Sequence, residues 1–174
     1  MIASTVRIVP LGIEHDKELR SQFNSGCPPL DRYFKEQVTQ DVRSKYAKCY
    51  VAIVDRLIVG FYTLSSAQIQ SLALPPETLK RLPRYKDVPV VRLGRLAVDT
   101  RYGRQGIGAL MLYDACRRAD ESAAGSFALI VDAKDENAKG FYVHHGFREI
   151  PDTPDSLFLP LATAEKALSV SGGE

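Results

Sequence analysis

The sequence predicts a mixed α/β domain, and three stretches carry that prediction. Val88 to Val98 is an apolar, β-branched run with Pro89 near its start, the mark of a strand. A glycine turn, Gly103 to Gly108, comes next. From it Ile107, Leu110, Met111, Tyr113, Ala115 and Ala119 recur at three- and four-residue spacing, as on a helix with one buried face. Earlier, Cys49 to Val54 and Ile58 to Leu64 are β-rich runs joined by Asp55-Arg56-Leu57, which reads as a hairpin. A chain of 174 residues can bury a sizeable core, and without repeats or linkers it reads as one domain over 1–174.

In chain order, Thr5 to Leu11 alternates around Val6, Ile8 and Leu11 and predicts a first strand. Asp16 to Phe23 is weakly helical, and Gly26-Cys27-Pro28-Pro29 breaks the chain. Leu30, Phe34, Val38 and Val42 then step by four, predicting one amphipathic helix from Leu30 to Arg43. After the hairpin, whose second strand can continue through Gln70, Pro75-Pro76 starts a short helix, Glu77 to Arg81, and Pro83 stops it. The central strand, glycine turn and long helix follow, then a strand at Phe127 to Asp132. Asn137 to His144 is a short helix with Ala138, Phe141 and Tyr142 on one side, ended by Gly146 as a C-cap. Phe147 to Ile150 and Leu157 to Leu161 read as closing strands, and Ser169 to Glu174 as a frayed tail.

The formal charge of +2 is mild, but its distribution is not. Between Lys80 and Arg104 eight basic residues stand against two acidic ones, which suits a polyanionic ligand as well as a solvated basic face. The three cysteines, Cys27, Cys49 and Cys116, are odd in number and scattered, so they read as reduced thiols in a cytoplasmic protein with no metal site. Nothing resembles a signal peptide or a membrane span.

A strand feeding a helix through glycines gathers free backbone N–H groups at the positive end of a helix dipole, which makes an anion site suited to a pyrophosphate. A Walker loop would need Gly-Lys-Ser/Thr, and here Gly108 is followed by Ala109 and Leu110. A dinucleotide fold wants G-x-G-x-x-G in an early βαβ unit, whereas this chain has G-x-x-G-x-G behind a hairpin, with Asp132 near the end of the next strand. A merely structural turn is the plain alternative for the six residues taken alone. The turn Gly103-Arg104-Gln105-Gly106-Ile107-Gly108 resembles motif A of the GCN5-related N-acetyltransferases (GNAT), Q/R-x-x-G-x-G/A. Asn137-Ala138-Lys139-Gly140-Phe141-Tyr142-Val143-His144-His145-Gly146-Phe147 resembles their motif B in its Asn, Phe-Tyr and Gly-Phe elements. The likeness spans roughly Cys49 to Leu161. It departs at the first position of motif A, Gly103, where Gln or Arg is usual.

That resemblance implies a mixed, mostly antiparallel central sheet of six to seven strands with splayed central strands, flanked by about four helices. It implies acetyl-CoA as co-substrate, contacted by Leu96, Ala97, Val98, Arg104, Gln105, Gly106, Ile107, Gly108, Ala109, Asn137 and Phe141, with no metal. Phe61-Tyr62-Thr63-Leu64-Ser65, Leu82-Pro83-Arg84-Tyr85, Leu93-Gly94-Arg95-Leu96-Ala97-Val98-Asp99, and Phe23-Asn24-Ser25-Gly26 with Leu30-Asp31 look like the acetyltransferase toxins of toxin–antitoxin operons. Those enzymes acetylate the α-amine of aminoacyl-tRNA, are restrained by a ribbon-helix-helix antitoxin, and are expected to dimerise.

Acetyl transfer to an amine needs a neutral nucleophile, a stabilised carbonyl oxygen and a proton for the departing thiolate. By the resemblance Tyr142 supplies the proton, and the Val98 N–H polarises the acetyl carbonyl. No carboxylate lies on the strand Val88 to Val98, whose ionisable residues are Arg92 and Arg95. A lysine at roughly pKa 10.4 would need a base, whereas an α-amine near 7.7–8.0 is already substantially neutral. The missing base therefore favours an α-amine carried on a polyanion, with His144 or His145 as bases still open. Arg81, Arg84, Lys86, Arg92 and Arg95 are the candidate tRNA-facing residues, working through phosphates. A small amine or a protein N-terminus as acceptor, and a non-catalytic CoA-binding module, are the alternative functions.

Overall fold

A computed structural model describes residues 5–12, 14–164 and 166 of the chain. The seven strands β1 (Arg7–Pro10), β2 (Lys48–Val54), β3 (Leu57–Gln70), β4 (Asp87–Val98), β5 (Ala128–Asp132), β6 (Arg148–Ile150) and β7 (Thr153–Pro160) form a sheet in the order β1-β2-β3-β4-β5-β7-β6. β4 and β5 pair in parallel from Val90 opposite Ala128 to Leu93 opposite Val131, and β4 runs on to Val98. The pairs β1–β2, β2–β3, β5–β7 and β6–β7 are antiparallel. This is the mixed, mostly antiparallel sheet that the motif resemblance implies. The helices are α1 (Lys17–Ser21), α2 (Pro28–Glu36), α3 (Val38–Arg43), α4 (Pro76–Leu79), α5 (Ile107–Asp120) and α6 (Glu136–His144), with 3-10 turns at Ser71–Ala73 and Thr100–Tyr102.

The described residues gather into two compact units, one of those up to 65 with 94–115, the other of 66–93 with those from 116 onward. In the first, Phe34 stacks on Phe61 at 4.3 Å between ring centroids, and Phe23 meets both edge-on at 5.2 and 5.5 Å. Such pairs contribute about 0.5–1.5 kcal/mol each beyond the area they bury. The buried Arg20 guanidinium holds α1 to α2 by donating to the Phe34 carbonyl at 2.8 Å. At the β2–β3 hairpin Asp55 and Arg56 both have positive φ, 49° and 68°, so the turn has two residues and Leu57 belongs to β3, opposite Val54.

The single helix expected from Leu30 to Arg43 is instead two. It starts on Pro28-Pro29, which sit where missing N–H groups cost nothing, and it bends at Gln37, whose φ is −115°. Phe34 before the bend and Val38 after it are both fully buried, so the four-residue step foretold burial but not straightness.

In the second unit Val88, Val90, Ala128, Ile130, Ile150 and Phe158 form a core under Ala67, Ile69 and Phe127. The Asp135 side chain caps α6 by accepting from the Ala138 N–H at 2.8 Å. Gly146, with φ +94°, follows the helix as expected. β7 begins at Thr153, four residues before the predicted Leu157, because its first part is exposed and pairs with β6 without any apolar pattern. The expected tail at Ser169–Glu174 lies outside the described residues.

Candidate active site

In the first unit, the end of β4 from Gly94, the 3-10 turn, the glycine turn and α5 as far as Ala115 follow one another along the chain, so Leu96 to Ala109 form one continuous feature. Ala97 is buried, while Leu96 and Val98 are half-buried. Arg104 and Gly106 both take positive φ, 60° and 81°. Among the described residues, no atom beyond the chain neighbours lies within 4 Å of where a Gly106 Cβ would stand, so glycine is demanded there by backbone conformation and not by crowding. Gly103 to Gly106 are exposed, and Ile107 is buried and anchors the start of α5. The Leu110 N–H bonds the Gly106 carbonyl at 3.0 Å, so helical pairing starts there and the amides just before it remain available to a ligand. α5 is 14 residues long and has no acidic residue in its first turn, so its dipole meets no competing carboxylate. These features fit a diphosphate. The side chain of the departing motif position, Gly103, has nothing to supply, and backbone amides need none.

α5 is seated closely on the strands of the same unit. A Cβ at Gly60 would meet the Met111 side chain at 2.8 Å and the Ala97 carbonyl at 3.1 Å. Past Val98, the buried Asp99 carboxylate accepts from the Asn24 N–H at 3.1 Å, the Arg101 N–H at 2.9 Å, and the Arg101 guanidinium at 2.9 and 3.0 Å. Burial alone would raise its pKa, but the Arg101 and Asn24 hydrogen bonds outweigh that and hold it below the usual value. Asp31, in turn, accepts from the Ser25 N–H and hydroxyl at 3.0 and 2.7 Å. The early Phe23-Asn24-Ser25-Gly26 block is thereby fastened beside the end of β4.

In the second unit, α6 presents Asn137 exposed, Phe141 half-buried and Tyr142 6% exposed. The Tyr142 ring packs edge-on against Phe141 at 5.2 Å and Phe147 at 5.3 Å. Its hydroxyl makes no hydrogen bond to a described residue. Burial pushes the phenol up to about 12, so it stays protonated at any ordinary pH. His144 is exposed. Burial, then the neighbouring His144, lowers the pKa of His145, which packs edge-on against Phe141 at 4.7 Å.

The basic residues fall into two groups. Arg81, Arg84 and Lys86 are exposed. The strand arginines are engaged: Arg92 pairs with Asp132 at 2.7 Å, and Arg95 lies 3.5 Å over the Tyr33 ring. Asp132 also accepts from the Ser156 hydroxyl at 2.6 Å, a contact invisible in sequence because its members come from three strands. Among the described residues no group of three His, Cys, Asp or Glu side chains could hold a metal.

A family model described as an acetyltransferase (GNAT) domain matches residues 27–156, which include both the turn and Tyr142. A tRNA-acetylating toxin of Mycobacterium tuberculosis (strain ATCC 25618 / H37Rv) is 34% identical over 146 residues, 83% of this chain and 87% of the relative. The solved structure of AtaT complexed with acetyl-methionyl-tRNAfMet has a TM-score of 0.83 and 28% identity, covering 94% of this chain and 99% of that one. A mutant AtaT toxin bound to the C-terminus of the antitoxin AtaR and acetyl-CoA has a TM-score of 0.77 and 25% identity, covering 94% and 98%.

Proposed function

The chain belongs to the acetyltransferase (GNAT) family, and from that premise we propose that it is a toxin that acetylates the α-amine of aminoacyl-tRNA and so blocks translation. The observation that carries this reading is the 34% identity to a tRNA-acetylating toxin over 83% of the chain. Acetyl-CoA is the acetyl donor, as befits the family. The likeness to AtaT, solved with acetyl-methionyl-tRNAfMet and, as a mutant, with an antitoxin segment, supports the acceptor and the restraint.

In this reading the amides from Gln105 to Ala109 hold the diphosphate, and the Val98 N–H polarises the acetyl carbonyl, flanked by Leu96 and Ala97. Arg104 adds its charge, and Asn137 and Phe141 contact the donor from α6. The neutral amine attacks the thioester carbon, the C–N bond forms, and the C–S bond breaks. The proton released by the amine balances the one gained by sulfur. Tyr142 donates a hydrogen bond to that sulfur as charge develops. At about 12 the phenol is a weaker acid than a thiol near 8.5, so it does not surrender its proton outright. Arg81, Arg84 and Lys86 meet tRNA phosphates, with Arg92 and Arg95 contributing from the strand. The partners are a second copy of the chain and a ribbon-helix-helix antitoxin, and the compartment is the cytoplasm. No helix among the described residues is long and apolar enough to cross a membrane.

Induced expression tests the toxin reading. Growth should arrest, and Tyr142→Phe should relieve the arrest at equal protein level. Undisturbed growth with the wild-type chain would turn the reading towards a small amine or protein N-terminus.

A further inference from the structure

Between the end of β3 and the start of β4 the chain makes the 3-10 turn Ser71–Ala73, helix α4 and a loop through Lys86. These surround a cavity of about 750 Å³ whose lining includes Leu72, Lys80, Pro83, Arg84, Tyr85 and Lys86. Tyr85 is 72% exposed and Leu72 84%. A single exposed aromatic is ordinary. This one stands between two cations, and among the described residues lining the cavity there is no carboxylate. Glu77, the acid of α4, is ion-paired with Arg148, and its charge also acts on Lys80.

The loop that carries the ring is held. The Tyr85 N–H bonds the Pro83 carbonyl at 2.8 Å, the Ser71 N–H bonds the Lys86 carbonyl at 2.8 Å, and the Pro83 ring fixes its own φ. Presenting Tyr85 to a ligand therefore costs little further ordering. An exposed flat ring among cations is the chemistry that receives single-stranded nucleic acid, where bases stack and phosphates meet charge. A duplex would satisfy the cations but offer Tyr85 no free base face.

We propose that Tyr85 is a stacking platform for an unpaired base of the acceptor RNA away from its 3′-terminal adenosine, with Lys80, Arg84 and Lys86 on the adjoining phosphates. The inference rests on the aminoacyl-tRNA reading and deepens it by naming which part of the RNA this surface takes. The basic residues alone would bind any polyanion. The aromatic ring restricts the occupant to one with an exposed base.

The test uses the full chain and a single-stranded RNA oligonucleotide with 2-aminopurine in place of an internal adenine, beside a blunt RNA duplex. Binding should quench the fluorophore. Tyr85→Ala should weaken binding by about 5- to 150-fold and abolish the quenching, and Tyr85→Phe should preserve both. Arg84→Glu with Lys86→Glu should abolish binding near 0.15 M salt. Equal affinity for single strand and duplex would overturn the platform, as would full quenching in Tyr85→Ala. Retained RNA binding in Tyr85→Ala with loss of an antitoxin peptide would reassign the surface to a protein and overturn it too. The two readings separate cleanly. Charged tRNA acetylated equally by wild type and Tyr85→Ala removes the platform alone, whereas Tyr85-dependent oligonucleotide binding in a chain that acetylates no charged tRNA keeps the platform and removes the tRNA-acetylation reading.

Discussion

The phenol of Tyr62 on β3 donates a hydrogen bond to Oδ2 of Asp114 on α5, at 2.5 Å, with both residues buried. A charge-assisted bond of this kind is among the stronger ones available to a folded chain. It fixes the helix whose first amides are assigned to the diphosphate, and it does so from a strand in the same unit. Sequence spacing could not have paired residues 52 apart.

Tyr62→Phe should therefore cost about 1–3 kcal/mol, read from the urea midpoint, because a buried carboxylate loses a donor. The dissociation constant for acetyl-CoA should rise with it. An unchanged midpoint would show that the remaining contacts of Asp114 suffice to hold α5.

Gly106 tests the turn without touching any side chain. At φ +81° any Cβ costs roughly 1–2 kcal/mol of backbone energy, although among the described residues no atom beyond the chain neighbours lies within 4 Å to clash with it. Gly106→Ala should relax the turn and weaken acetyl-CoA binding, measured by calorimetry, with little change in acceptor affinity. Wild-type binding of acetyl-CoA would mean that the diphosphate is held elsewhere.

Tyr142 makes a prediction about pH. The rate should rise through the acceptor's own amine pKa, roughly 7.7–8.0, and then stay level, because the buried phenol keeps its proton to about 12. A descending limb centred near 10 would mean that the phenol is solvated during turnover. Tyr142→Phe should lower kcat by about 10²- to 10³-fold while leaving the ascending limb in place.

Alkaline stability follows from two buried thiols. Burial raises the pKa values of Cys49 and Cys116 from 9.0 to about 12. Below 9 both are protonated whether the chain is folded or not, so their contribution is fully present. As pH climbs from 9 towards 12 the unfolded chain loses these protons and the folded one does not, so stability falls through that window. Tyr142 adds to the loss between 10 and 12. Thermal unfolding from pH 7 to 11 should show Tm dropping only above about 9, and a flat profile would contradict the burial of both thiols.

Much of this was legible in the sequence for identifiable reasons. The hairpin of Cys49 to Leu64 and the strand, turn and helix from Val88 to Ala119 declare themselves through local periodicity and glycine placement. The bend at Gln37 could not be read, because both sides of it carry the same apolar step and only the shape of the shared core decides between bent and straight. The exposed start of β7 lacked any pattern for the same reason that it is exposed. Arg92 and Arg95 looked like free charge because their partners, Asp132 and Tyr33, are distant in sequence. The platform around Tyr85 was half visible, as basic residues, while the cavity beneath it belongs to the folded loop alone.

The central claim is acetyl transfer to an α-amine on RNA, and one assay reaches it directly. Purified protein is incubated with labelled acetyl-CoA and a panel of charged and uncharged tRNAs, and label is followed to the RNA. The account predicts label on charged tRNA, carried on the aminoacyl nitrogen, absent from uncharged tRNA and lost with Tyr142→Phe. Labelling of none of the charged tRNAs by a protein that binds acetyl-CoA would contradict it.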